Sequence, residues 1–215
     1  MKKLRVLIAC EFSGVVRDAF AAKGHDAWSC DVLPTEQPGQ HIRGDVLEIL
    51  DGGWDMMIAH PPCTYLANSG VQHLHKERGR WDKMITAKRF FYSILQAPIK
   101  HICIENPVPH SYANLPSYTQ IIEPYEHGHE VTKKTCLWLK NLPLLSPTNI
   151  VDRGARYIGK DGKSNGAAWY QLAPSADRWK IRSRTFEGIA QAMSNQWTGS
   201  LPYQRELLSV YEVSE

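Results

Sequence analysis

Short apolar runs alternate with segments of helical spacing along the first two thirds of the chain, and this alternation limits the possible folds more than any other feature. The apolar runs occupy residues 4–10, 25–34, 54–60, 99–107 and 132–143. Apolar residues recur at helical spacing over 15–24, 83–97 and 186–197. Strands that alternate with helices predict an α/β fold with a doubly wound, mostly parallel sheet.

The later part of the chain lacks this pattern. Residues 145–184 are rich in Gly, Pro, Ser and aromatic side chains and show no clear period. We therefore predict a core over 1–144, a short basic and aromatic segment over 145–184, and a C-terminal helix within 185–215 that returns to the core.

Charge and cysteine content set further limits. The formal net charge of +3 is too small to indicate a nucleic-acid partner and does not oppose one. The five cysteines are widely spaced, with no CxxC pair and no spacing typical of zinc, so we expect reduced thiols and no metal. The apolar run at 4–10 ends at Glu11 and is too short for a signal peptide or a membrane span. The expectation is a cytoplasmic protein without a membrane partner.

In such sheets, ligands bind outside the carboxyl ends of the strands. Asp31, at the end of the second strand, is placed to hold ribose hydroxyls, and Asp45 could accept a hydrogen bond from an adenine amino group. The loop "EFSG" (11–14) has neither a glycine triplet nor a Walker lysine. These features favour an adenosine-containing ligand without a phosphate cradle, although a purely structural turn would explain "EFSG" alone.

Two proline-containing motifs follow neighbouring strands. "MMIAHPPC" ends at Cys63, and "ICIENP" contains Glu105, 42 residues later. A parallel sheet would bring both side chains to one edge. Taken singly, Cys63 could be a small buried hydrophobe and Glu105 a cap. A thiol and a carboxyl group together beside an adenosine site favour a nucleophile paired with an acid.

These motifs resemble those of the DNA cytosine-5 methyltransferases, which use S-adenosylmethionine and release S-adenosylhomocysteine. In that family "PPC" carries the nucleophile and an "EN" dipeptide ends the fifth strand. The resemblance implies a Rossmann-like methyltransferase fold, with Cys63 attacking carbon 6 of cytosine, Glu105 acting on ring nitrogen 3 with a pKa raised by burial, and Asn106 holding the loop. The cofactor contacts that it implies are Glu11, Phe12, Ser13, Gly14, Asp31, Val32, Asp45, Val46 and Pro61.

One family motif is altered. The segment that normally carries a glutamine and two arginines near the target base is "TKKTC" (132–136) in this chain. Lys134 stands for the first arginine, and Cys136 falls where the second would be. Lys133, Lys134 or a basic residue from the C-terminal segment would have to replace the missing arginine.

Basic and aromatic residues suit contacts with nucleic acid. Residues 151–184 hold eight Lys or Arg against three Asp, interleaved with Tyr157, Trp169, Tyr170 and Trp179. The loop after Cys63 is also cationic and could close over a flipped base. The expected nucleic-acid contacts are Arg78, Arg80, Arg153, Arg156, Lys160, Lys163, Arg178, Lys180, Arg182 and Arg184. Solvated surface loops are the alternative for both segments.

The leading hypothesis is a monomeric DNA cytosine-5 methyltransferase of phage type, acting on a flipped or single-stranded cytosine. In the resembled family a target-recognition domain lies in this part of the chain, and the roughly forty residues here imply a short or relaxed target sequence. Two alternatives stay open: a pyrimidine methyltransferase acting on RNA or a free nucleotide, and a catalytically silent relative that binds nucleic acid.

Overall fold

The structure is a computed structural model that describes residues 2–158, 164–167, 175 and 177–199. Four residues expected to contact nucleic acid lie outside this part of the chain: Lys160, Lys163, Trp169 and Tyr170. None of the helices within the described ranges is long and apolar enough to cross a membrane.

A seven-stranded sheet forms the centre of the molecule, in the order β3-β2-β1-β4-β5-β7-β6. Its strands are β1 (Arg5–Ala9), β2 (Asp26–Asp31), β3 (His41–Arg43), β4 (Met56–Ala59), β5 (His101–Pro107), β6 (Gln120–Ile122) and β7 (Thr135–Lys140). The first five strands run parallel, whereas β7 is antiparallel to both β5 and β6. The predicted fold class, an α/β fold with a mostly parallel sheet, is confirmed.

Helices cover both faces of this sheet. They are α1 (Val15–Ala21) and α4 (Glu187–Gly199) on one face and α2 (Arg80–Leu95) on the other; a further short helix, α3 (Arg178–Ser183), has no buried residue and belongs to neither core cluster. Strand β4 shows the two faces by its alternation: Met57 and Ala59 belong to the apolar cluster that includes α2, and Met56 and Ile58 to the cluster that includes α1 and α4. Because the central strands are buried on both faces, their sequences are continuous apolar runs.

Several short elements depart from the predicted pattern. Strands β3 and β6 have three residues each, too few to show a period. The segment predicted to be irregular contains α3 and an antiparallel pair, β8 (Arg156–Ile158) and β9 (Ser164–Ala167). Helix α2 begins at Arg80, earlier than predicted, directly after Gly79 in the left-handed conformation.

Candidate functional site

A cavity of about 1230 Å³ lies along the carboxyl ends of β1, β2, β4 and β5. Residues 132–134, just before β7, and helix α3 also line it. Fourteen residues singled out from the sequence line it: Glu11, Phe12, Ser13, Asp31, Pro61, Cys63, Arg80, Glu105, Lys133, Lys134, Arg153, Arg156, Trp179 and Arg182. The cavity therefore connects the expected cofactor loop with the expected nucleophile and acid.

At one end of the cavity, Glu11 caps helix α1. Its buried carboxylate accepts hydrogen bonds from the backbone N–H groups of Val16 (2.7 Å) and Arg17 (3.2 Å), and from the Ser13 hydroxyl (3.2 Å). Burial raises the pKa of Glu11, while His60 and these hydrogen bonds oppose the rise. A helix N-terminus is where a phosphate would bind. Because a carboxylate occupies this one, the cavity suits a ligand without phosphate at that point.

Asp31 lies at the end of β2 and lines the same part of the cavity. One of its carboxylate oxygens accepts a hydrogen bond from the Leu33 N–H at 2.9 Å. Asp45 does not line the cavity as described; its side chain accepts from the Leu47 N–H and caps a 3-10 turn at Val46–Ile49. Val46 is buried in the core, and Val32 is exposed to solvent.

Gly14 is required by local geometry. It adopts a φ of +80° directly before α1, and a Cβ there would lie 2.5 Å from the guanidinium of buried Arg17. That guanidinium donates hydrogen bonds to the carbonyls of Gln37 and Pro38, and so holds the loop after β2. Gly14 thus shapes this end of the cavity without lining it.

The nucleophile loop leaves the sheet at the two prolines. The His60 N–H still donates to the Ala9 carbonyl at 2.9 Å, but prolines have no N–H and sheet pairing stops there. The Asn106 side-chain amide donates to the Pro61 carbonyl at 3.3 Å from a fully buried position. This contact fits the expected role of Asn106 as a loop-holding residue, and it fixes the base of the loop that presents Cys63.

The segments after β4 and β5 are joined to one another. The Asn68 N–H donates to the Val108 carbonyl, and the His110 N–H donates to the Leu66 carbonyl. A ring nitrogen of His110 also lies 3.0 Å from the Tyr65 carbonyl. The thiol loop and the Glu105 segment therefore form one connected unit.

Glu105 forms a close pair with His60. The His60 Nδ1 atom lies 2.8 Å from the Glu105 Oε2 atom, and their side chains are 10% and 14% exposed. Burial acts to raise the pKa of Glu105, but the hydrogen bond from His60 and the charges of Lys133 and His60 outweigh it, so the pKa is lowered. The expectation that the pKa of Glu105 is raised was wrong. The imidazole of His60, a residue outside the "PPC" and "EN" motifs, stabilises the carboxylate.

The half-buried Cys63 thiol has a raised pKa. Burial is the main cause and the negative charge of Glu105 adds to it, whereas Lys133 and Arg182 act in the opposite direction. The Lys133 ammonium donates to the Arg182 carbonyl at 3.2 Å, which links the start of β7 to α3. The thiolate can therefore form more readily once Glu105 is neutral.

Lys133, rather than Lys134, is the lysine whose charge acts on Cys63 and Glu105. The charge of Lys134 acts on Glu123 and Cys136, although Lys134 also lines the cavity. Lys133 thus acts on both members of the reactive pair, and Arg182 acts on Cys63.

The other basic residues expected to contact nucleic acid have mixed surroundings. Arg80 pairs with Glu77 at 2.6 Å and Arg184 with Glu36 at 2.6 Å. Arg78 is exposed. Lys180 lies near Asp177, 3.8 Å away, and the adjoining Arg178 begins α3; these two side chains do not line the cavity as described.

Helix α3 covers the cofactor loop. The ring of Trp179 packs on that of Phe12, with centroids 5.6 Å apart. The Arg184–Glu36 ion pair joins the end of α3 to the loop after β2. The residues of α3 were expected to contact nucleic acid only, and neither this contact nor a role for His60 was predicted, although His60 is among the residues at the strand ends. The sequence marks His60 only by its place, as a single polar residue between an apolar strand and "PPC".

No protein-family model matches the sequence. No curated protein matches it either.

Solved structures with a similar arrangement include three methyltransferases. A candidate DNA modification methyltransferase encoded within a prophage of E. coli has a TM-score of 0.46 and 16% identity, covering 70% of this chain and 52% of its own. The Entamoeba histolytica methyltransferase EhMeth has a TM-score of 0.43 and 14% identity, with coverages of 70% and 58%. The S. pombe Dnmt2 methyltransferase has a TM-score of 0.42 and 13% identity, with coverages of 84% and 62%.

The chain spans about half to three fifths of the length of these three proteins. At identities of 13–16%, the similarity to these proteins is one of fold alone.

Proposed function

We propose that this chain is an S-adenosylmethionine-dependent methyltransferase that modifies carbon 5 of cytosine in DNA. The observation that carries the proposal is the convergence of Cys63, Glu105 and Lys133 on one cavity whose other end is formed by the Glu11–Asp31 region. A thiol beside a carboxyl group, with cations close by, is the equipment for covalent attack on an electron-poor ring.

The cofactor end fits a nucleoside that carries no phosphate there. Asp31 offers a carboxylate to ribose hydroxyls, and Phe12 an apolar surface, while Glu11 occupies the helix terminus that a phosphate would need. Phe12, Ser13, Asp31 and Pro61 would hold S-adenosylmethionine, which when bound supplies an electrophilic methyl group.

The reaction starts at Cys63. Carbon 5 of cytosine is a poor nucleophile, and addition of the Cys63 thiolate to carbon 6 turns the ring into an enamine that is nucleophilic at carbon 5. Glu105 supplies a proton to ring nitrogen 3 and so neutralises the charge that develops there. After methylation, loss of the carbon 5 proton to water and of the thiolate from carbon 6, with return of the nitrogen 3 proton to Glu105, restores the aromatic ring and the enzyme.

Lys133 and Arg182 assist both the formation of the Cys63 thiolate and the binding of the target base. Their charges favour the Cys63 thiolate. They are also the candidates to replace the arginine that the altered "TKKTC" motif lacks, since cations can hold the base and its phosphate. A base within a duplex cannot reach Cys63, so the target is flipped out or single-stranded.

The test uses tritiated S-adenosylmethionine with DNA, RNA or dCMP as separate acceptors. We expect transfer to DNA that is lost in Cys63→Ser. Transfer to RNA or dCMP alone would instead support a pyrimidine methyltransferase that acts on RNA or a free nucleotide. If folded protein transferred no methyl group to any acceptor, the catalytically silent binding protein would be the remaining hypothesis.

A further inference from the structure

His60 is the part of the site that the proposed mechanism leaves without a role. It is the residue that directly follows β4, and it lines the cavity. It lies between the cofactor end of the cavity and the loop that carries Cys63. Its Nδ1 atom is hydrogen-bonded to Glu105, and its Nε2 atom is buried without a hydrogen-bond partner among the described residues. Glu105 is thus the hydrogen-bond partner of this buried imidazole among the described residues.

Two carboxylates flank this imidazole. Glu105 is in direct contact at 2.8 Å, and the field of His60 reaches Glu11 at the end of β1. The charge of Lys133, just before β7, acts on Glu105 and Cys63, and that of Arg182 on α3 acts on Cys63; the charge of Glu105 in turn acts on the thiols of Cys63, Cys103 and Cys136. The imidazole therefore lies between two carboxyl groups, one of which, Glu105, has to act as an acid.

The mechanism contains a conflict that a proton on His60 resolves. Glu105 is held as a carboxylate, yet it has to deliver a proton to ring nitrogen 3, and its negative charge opposes the Cys63 thiolate. A proton moved onto Glu105 at the moment of attack removes both obstacles.

We propose that His60 is a positioning residue that passes this proton to Glu105 through their hydrogen bond; the inference rests on the proposed methyltransferase function. The Nδ1–H bond breaks and its electron pair stays on Nδ1, while Glu105 receives the proton and delivers one to ring nitrogen 3. Glu105 ends as the carboxylate it was. The net change is one proton lost by His60 and one gained by the base, and the reverse transfer accompanies release of the product. The Cys63 thiol proton leaves separately to water.

The test compares the pH dependence of kcat for the wild type and His60→Asn. Asparagine can place an amide donor near the position of Nδ1 but carries no transferable proton. We expect kcat of the wild type to fall as pH rises and His60 loses its proton. In His60→Asn, Glu105 takes its proton from solvent, so this limb moves at least about one pH unit toward acid and kcat at pH 7.5 falls at least about tenfold. KM for DNA should stay within about threefold.

His101→Asn is the matched control. His101 is also buried and its Nδ1 is hydrogen-bonded, to the Asn141 carbonyl at 2.7 Å, but it lies at the opposite end of β5. Its pH profile should match that of the wild type. An unmoved limb in active His60→Asn would overturn the relay and leave the Cys63 thiol as the proton source. Inactive wild-type protein would instead overturn the methyltransferase assignment and the relay with it.

A measurement on the wild type covers the case in which His60→Asn does not fold. The ring nitrogens of His60 are followed by NMR as pH is raised. The relay predicts that their transition coincides with the falling limb of kcat, and a separation of more than one pH unit would overturn it.

Discussion

Cys63 differs from the other four cysteines in its surroundings. Cys30, Cys103 and Cys136 are buried in the core, and burial raises the pKa of Cys10 far beyond the reach of neutral pH. Only Cys63 combines partial exposure with nearby cations among the described cysteines. Reactivity at this one position follows from the loop that carries it.

Cys63→Ser should abolish methyl transfer and leave S-adenosylmethionine binding within about twofold, because a serine hydroxyl is a far weaker nucleophile and the cofactor loop is untouched. Cys136→Ala is the control, since it removes a buried thiol from β7 where the family pattern has an arginine. It should remain active. Transfer by Cys63→Ser at more than a few per cent of the wild-type rate would contradict the assignment.

The lowered pKa of Glu105 predicts how the stability of the fold depends on pH. Its pKa is lower in the folded state than the ordinary carboxyl value, so it stabilises the fold above that ordinary value, and this contribution is lost as pH falls through the lowered one. Urea unfolding at several pH values should therefore show a larger loss of stability with acid for the wild type than for Glu105→Gln. Parallel curves for the two proteins would show that the pKa of Glu105 is not lowered by folding.

At the level of elements, α3 is the link between the two ends of the cavity. It contacts the cofactor loop through Trp179 and the start of β7 through the Arg182 carbonyl. Trp179→Ala should raise the Kd for S-adenosylmethionine about two- to tenfold, since one aromatic contact contributes about 0.5–1.5 kcal/mol. Calorimetry measures this, with Tyr157→Ala on β8 as the control. Equal affinities for Trp179→Ala and the wild type would exclude a role of α3 in cofactor binding.

Helix α4 has a glycine that its packing requires. A Cβ on Gly188 would lie 1.9 Å from the His127 carbonyl oxygen, and the Gly188 N–H donates to His129 Nε2 at 2.9 Å. Gly188→Ala should destabilise the protein by about 1–3 kcal/mol, although alanine is the better helix former. Gly199→Ala, in the same helix and with no atom of the described residues within 4 Å of the new Cβ, should not. Chemical denaturation of both variants tests this difference.

For the molecule as a whole, the structural features that could be predicted from the sequence are those that produce a repeated pattern of residues. Buried parallel strands give continuous apolar runs, so β1, β4 and β5 and the meeting of Cys63 with Glu105 at one sheet edge could be predicted. Contacts between residues distant in the chain leave no such pattern. The His60–Glu105 pair, the field of Lys133 and the packing of Trp179 on Phe12 depend on how the sheet brings segments together.

The most direct test of the covalent mechanism is to trap the adduct. DNA containing 5-fluorocytosine is incubated with the protein and S-adenosylmethionine; fluorine at carbon 5 cannot leave as the proton does, so the bond between sulfur and carbon 6 persists. Digestion and mass spectrometry should find the modified nucleotide on the peptide that carries Cys63. Methyl transfer to ordinary DNA with no adduct at Cys63, or with the adduct on another residue, would contradict the mechanism.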